Sequence, residues 1–160
     1  MTSFTLDAPP VAKTGMLIRR PVAEVFEAFV DPALTTQFWF THGSARLETG
    51  KKIRWDWKMY GVFADVVVTS VEPHRRIEIE WGGPDESPTT VEWTFTPHEN
   101  GTFVEIVNTG FQGDGGSIVQ QAIDSTQGFS LVLAGAKALL EHGIRLNLVA
   151  DRFPAGLVAH

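Results

Sequence analysis

SIVQQAIDSTQGFSLVLAGAKALLEHG, residues 117–143, is the stretch whose reading decides the fold. At helical spacing Ile118, Ala122, Ser125, Phe129, Val132, Leu133, Ala136, Leu139 and Leu140 fall on one stripe. Gln120, Asp124, Gln127, Glu141 and His142 fall on the other side, the pattern of an amphipathic helix lying on a core. Ser117 follows a run of glycines and offers an oxygen to cap the first turn. Gly143 supplies the left-handed conformation that ends a helix. At about 1.5 Å per residue the helix is roughly 40 Å long. A second reading starts a shorter helix at Thr126, capped by Asp124 or Ser125. Along the stripe, large residues (Phe129, Leu133, Leu140) alternate with small ones (Ala122, Ser125, Ala136). The helix is therefore expected to leave space beneath it.

What lies beneath is read from the segment just upstream, where the period changes from helical to two. Ile53, Trp55, Trp57 and Met59 share one face and Arg54, Asp56 and Lys58 the other. Ile77, Ile79 and Trp81 alternate with Glu78 and Glu80, and Val91, Trp93 and Phe95 with Glu92 and Thr94. Strands are expected at 45–49, 53–59, 62–71, 76–81, 90–95 and 103–109. Gly50, Gly61, Pro73 and Asn100-Gly101 mark turns. Six strands in hairpin succession make an antiparallel meander.

Further upstream, residues 1–12 read as a loose lead-in and 13–19 as a first strand. Pro21 opens a helix with Val22, Val25, Phe26 and Phe29 on its apolar face, stopped at Asp31-Pro32. A second short helix is expected from Pro32 to about Phe40. Downstream of Gly143, 144–149 and 152–154 form an apolar tail expected to pack back. The fold class is α+β, with residues 1–160 as one domain.

Hydrophobic residues make up 43% of the 160-residue chain and charged residues 20%, enough to bury a real core. A formal net charge of −6 disfavours nucleic acid or an anionic membrane as partner. No window is long enough to span a bilayer, no secretion signal is read, and a cytoplasmic location is expected. Without cysteine there is no disulfide, thiolate metal site or cysteine nucleophile.

Four tryptophans, Trp55, Trp57, Trp81 and Trp93, share the apolar parity of their strands and point toward the long helix. Trp39, beside a loop, is placed to wall a pocket. Phe111 lies in the glycine-rich segment 110–116, which reads as a flexible lid rather than a phosphate loop because it lacks the lysine. The expected ligand-binding set is Trp39, Trp55, Trp57, Trp81, Trp93, Phe111, Ser125, Phe129 and Leu133. Each indole brings a large apolar area and an N–H that needs a partner. For chemistry the candidates are Asp65, which interrupts an apolar run, and His42, in a loop after the aromatic cluster. The five histidines are scattered without the i, i+4 spacing of a zinc pair, and there is no G-x-S-x-G elbow. No metal and no cofactor are expected.

Three stretches resemble a known family. They are Ile18-Arg19-Arg20-Pro21-Val22 through Val25-Phe26-Glu27-Ala28-Phe29 to Asp31-Pro32, then Ala64-Asp65-Val66 through Val71-Glu72-Pro73-His74-Arg75-Arg76-Ile77 to Trp81, and Gly128-Phe129 through Leu133 to Leu140-Glu141. The chain resembles the START-like (SRPBCC) superfamily, and within it the branch named after the activator of the heat-shock-protein-ninety ATPase. In many of that branch a tryptophan follows the helix glycine, where this chain has Phe129. The resemblance implies a helix-grip fold with a cavity for a small, mostly apolar molecule between curved sheet and terminal helix. It implies no single reaction. Three functions compete in this order: binding of a hydrophobic or aromatic molecule, a polyketide cyclase/dehydratase-like enzyme using Asp65 or His42, and a chaperone-regulating module. The expected partner is a small hydrophobic molecule. Nucleic acid and membrane insertion are not expected, a homodimer is compatible with the reading, and a chaperone ranks last.

Overall fold

Asp114 starts the long helix. In the computed structural model, which describes residues 6–155 and 157, α3 runs unbroken over Gly115–His142. The Asp114 carboxylate accepts from the Ser117 N–H at 2.8 Å, so Ser117 is the capped donor and not the cap. The shorter helix beginning at Thr126 does not form. Thr126 and Ser130 instead return their hydroxyls to the carbonyls of Ala122 and Thr126, one turn back. Gly143 ends the helix at φ 65°, its N–H reaching the Leu139 carbonyl.

The strands are β1 (Ala12–Ile18), β2 (His42–Gly43), β3 (Lys52–Trp57), β4 (Val62–Glu72), β5 (Arg76–Gly82), β6 (Thr89–His98) and β7 (Gly101–Thr109). They form one curled antiparallel sheet in the order β1-β7-β6-β5-β4-β3-β2. The first strand therefore closes on the last. Parity holds across the meander: Ile53 and Trp55, Val66 and Val68, Ile77 and Ile79, Val91, Trp93 and Phe95, Val104 and Ile106 all face inward and are buried. Helices α1 (Val22–Val30) and α2 (Pro32–Thr35) cover one end of this face. There Phe26 meets Phe95 edge-on at 5.3 Å and Phe29 meets Phe38 at 5.4 Å.

Several expectations are corrected. No strand forms at 45–49, where Leu47 alone is buried and its N–H bonds the Val30 carbonyl; the short β2 pairs with β3 instead. The second helix stops at Thr35, because Phe38, Trp39 and Phe40 all enter the core and no single helix face can aim three consecutive side chains inward. Met59 leaves the strand for a 3-10 turn, Lys58–Tyr60, and is exposed. The β6–β7 turn residues are Glu99 and Asn100, with His98 opposite Gly101 and the positive φ at Glu99. Gly101 is required for another reason: a Cβ there would stand 2.8 Å from the Ile18 carbonyl of the neighbouring strand. The lead-in expected up to residue 12 falls outside the described residues through position 5, and Ala12 already belongs to β1.

On the outward face charges pair with one another. Arg76 meets Glu72, Glu78 and Glu92, while Arg54 covers the Phe63 ring at 3.8 Å. Val67 and Phe103 are exposed on the same face.

A polar clip fixes α3 on the β1 edge. Lys137 Nζ donates to the Leu17 carbonyl and to Glu141, each at 2.6 Å, and Glu141 also accepts from the Arg19 N–H at 2.8 Å. Thr14 and Ser130 share a hydroxyl bond nearby. Burial alone raises the pKa of the Glu141 carboxyl, but the Lys137 and Arg19 hydrogen bonds outweigh it, and the group titrates below the ordinary carboxylate range. A carboxyl depressed by folding stabilises the protein above its unfolded pKa, and that contribution is lost as pH falls through the folded value. The Glu141 contribution should therefore be fully present above about pH 5 and be lost on acidification below about pH 4. Glu141→Gln should shrink the acid-side fall in melting temperature, read by calorimetry across pH. An unchanged slope in that variant would remove the clip from the account.

Candidate functional site

Because α3 is anchored over β1, its N-terminal half overhangs the inner face farther along the sheet, and a cleft opens there. Its volume is about 1060 Å³. Trp57 of β3, Ala64 of β4, Trp81 of β5, Thr89 of β6 and Asn108 of β7 form the sheet side. Ser125, Gly128, Phe129 and Val132 form the helix side, and Phe111 and Gln112 of the glycine-rich segment stand at one end. The tail closes the other end through α4 (Leu148–Arg152), where Tyr60 donates its hydroxyl to the carbonyls of Val149 and Ala150.

The floor is an aromatic cluster centred on Trp39. Its ring lies 4.8 Å from Trp55, 5.7 Å from Phe129, 5.9 Å from Trp81 and 6.2 Å from Trp57. Trp39 is almost fully buried, but its edge reaches the cleft.

Of the residues expected to bind ligand, Trp39, Trp57, Trp81, Phe111, Ser125 and Phe129 line the cleft. Trp55, Trp93 and Leu133 do not. Their inward parity is right, but they lie deeper, sealed at 1%, 1% and 0% exposure. Trp55 is stacked on Phe40 at 4.6 Å. The Trp93 indole N–H is the one buried side-chain polar atom among the described residues without a hydrogen-bond partner. It is ringed by Phe29, Trp39 and Phe129.

The two chemical candidates lie outside the cleft. His42 is exposed, its imidazole 3.5 Å from Asp56. Asp65 is exposed on the outward face opposite Arg54, because Ala64 and Val66 take the inward positions. The ionisable groups that do line the cleft are Glu86, Asp124 and Arg152, all exposed, and the half-buried Tyr60, whose hydroxyl is held by the Val149 and Ala150 carbonyls. Among the described residues no group of three histidine, aspartate or glutamate side chains converges as a metal site, and no helix is long and apolar enough to cross a membrane.

Asn108 is the residue that sequence reasoning missed. It faces inward beside Val104 and Ile106 and is 2% exposed. Its amide nitrogen donates to Thr89 Oγ1 at 2.9 Å and the Thr90 carbonyl at 2.8 Å, and its oxygen accepts from Ser125 Oγ at 2.8 Å. These bonds tie β6 and β7 to α3 across the cleft and leave the Asn108 amide satisfied where it meets the lining. An amide at an inward position of a buried strand was the available signal.

Among curated proteins the chain has no match. Among solved structures it is similar to protein SSP2350 from Staphylococcus saprophyticus, with 30% identity and a TM-score of 0.73 over 86% of this chain and 96% of that one. It is also similar to DynU16, described as a putative protein in the dynemicin biosynthetic locus, with 26% identity and a TM-score of 0.72 over 84% of this chain and 48% of that one. The Aha1 dimer from Colwellia psychrerythraea shares the fold at 17% identity and a TM-score of 0.73, over 84% of this chain and 98% of that one. These structures have the helix-grip architecture found here, and residues 19–141 match the sequence pattern of one family within it. The chain belongs to the Activator of Hsp90 ATPase homolog 1-like protein family.

Proposed function

We propose that the cleft binds a small hydrophobic or aromatic molecule. The observation that carries this reading is the gap at Gly128. It sits in the middle of α3, where glycine costs about 0.5–1 kcal/mol relative to alanine, yet a Cβ there would meet nothing within 4 Å. Gly128 is exposed and belongs to the cleft lining, so the helix adds no side chain there, and the lining it shares with Phe129, Trp57 and Trp81 is suited to flat apolar guests. A cyclase or dehydratase, the alternative, needs an acid or base within reach of the guest. Asp65 and His42 lie outside the cleft, Glu86 and Asp124 on its lining are exposed to water, and the Tyr60 hydroxyl is taken by backbone carbonyls, so binding ranks first.

N-phenyl-1-naphthylamine, uncharged and polycyclic, should brighten on titration and quench tryptophan emission. Its dissociation constant should be on the order of 10 μM at about 0.4 kcal/mol per non-hydrogen atom. Gly128→Phe fills the gap from the helix side without a clash. It should weaken the probe at least about tenfold while leaving stability equal or up to about 0.5 kcal/mol higher. Absence of probe binding to the unaltered protein, or undiminished binding to Gly128→Phe, counts against the proposal.

A further inference from the structure

At the mouth of the cleft stands Arg152, which with Arg19 and Arg145 makes three arginines whose guanidinium pairs with no carboxylate among the described residues. Arg20, Arg46, Arg54, Arg75 and Arg76 each pair with a glutamate or aspartate. Arg152 pairs with none among the described residues. Its Nε donates to the neutral Gln127 side chain at 2.8 Å, and its guanidinium carbon lies 4.3 Å over the Phe153 ring. These two contacts fix the plane of the fork and use one of its five donors. Arg152 is part of the cleft lining, and its remaining donors have no hydrogen-bond partner on it among the described residues. The two acids that share this lining already have donors of their own: Glu86 accepts from the Gly83 N–H at 2.8 Å, and Asp124 from the Gln120 amide at 2.9 Å. The cleft offers an apolar ring-lined body and, on its lining, a pre-oriented cation that neither of these two carboxylates engages in an ion pair. A planar guanidinium in that state is suited to a carboxylate, which it meets with two parallel hydrogen bonds.

We propose that the ligand of this cleft is an aromatic carboxylate, its ring system lying against Trp57, Trp81 and Phe129 and its carboxylate held by Arg152. This inference rests on the binding function proposed above. Gln127 and Phe153 are positioning residues that act through the guanidinium.

The test uses two probes with one ring body, 1-pyrenebutyric acid and its alcohol 1-pyrenebutanol, titrated by fluorescence into the full chain and into Arg152→Gln and Arg152→Lys. The acid should bind the unaltered protein about tenfold more tightly than the alcohol, the range for a charge-assisted bond near solvent, and the preference should shrink with added salt. Arg152→Gln should bring the two probes to equal affinity by weakening the acid alone. Arg152→Lys should keep part of the preference, because it keeps the charge and loses the fork. Equal binding of acid and alcohol by the unaltered protein overturns the carboxylate assignment and leaves the cleft reading standing. So does a preference that survives Arg152→Gln. Failure of both probes to bind overturns both.

Discussion

Trp55→Ala is expected to lower the free energy of unfolding by about 3–5 kcal/mol, the cost of removing a large ring from a packed interior. Trp55 is 1% exposed, stacked on Phe40 at an interplanar angle of 18° and flanked by Trp39 and Trp81. Gly43 lies against its ring: a Cβ at position 43 would meet Trp55 Cδ1 at 3.4 Å. Neighbours from β2, β5 and the segment after α2 therefore all lose contacts at once, and sheet backbone does not collapse into the void. Against a total of about 5–15 kcal/mol typical of single domains, the loss is severe. Urea denaturation with a fitted midpoint and slope measures it. A cost below about 1.5 kcal/mol would mean that the aromatic floor is loosely packed and that Trp55 faces the cleft after all.

Asn108→Leu, nearly equal in size, should cost about 2–4 kcal/mol despite adding apolar surface, since each buried polar group left unpaired costs about 1–3 kcal/mol. The variant strips the Thr90 carbonyl and Thr89 hydroxyl of a shared donor and Ser125 of its acceptor. Asn108→Leu combined with Ser125→Ala should recover part of the loss, because the stranded hydroxyl leaves with its partner. Chemical denaturation of both variants checks this. Additive costs, or a leucine variant as stable as the parent, would show that the three bonds do not hold helix to sheet.

The long helix was legible because its stripe keeps one period for nearly eight turns and ends on a glycine. The meander was legible because Ile77-Glu78-Ile79-Glu80-Trp81 and its neighbours alternate without error. Parity, however, reports which face a side chain takes and not how deep it lies. Trp57 and Trp55 share a strand and a face, yet one lines the cleft and the other is sealed, because Phe40 stacks on Trp55 and Trp39 packs beside it. Depth is a tertiary quantity with no local signal. The segment 45–49 misled for a related reason. It alternates weakly, and its one buried side chain, Leu47, is recruited by α1 rather than by a sheet neighbour. Asp65 and His42 stood out by chemistry alone, and chemistry does not say that a strand turns a carboxylate toward water. Arg152 and Asn108 carry no motif, and only their partners in space single them out.

The pairing of Ala12 with Asn108 and Ile18 with Thr102 has a consequence for the nascent polypeptide. The first strand leaves the ribosome long before its hydrogen-bonding mate exists. At roughly 5–20 residues per second the wait is on the order of 5–20 s, and the terminal helix that clamps both is translated later still. Sheet closure thus waits until β7 has been made, which favours slow, all-at-once assembly over stepwise growth. Products halted before residue 109 should appear as protease-sensitive, self-associating fragments rather than as a smaller version of the same architecture.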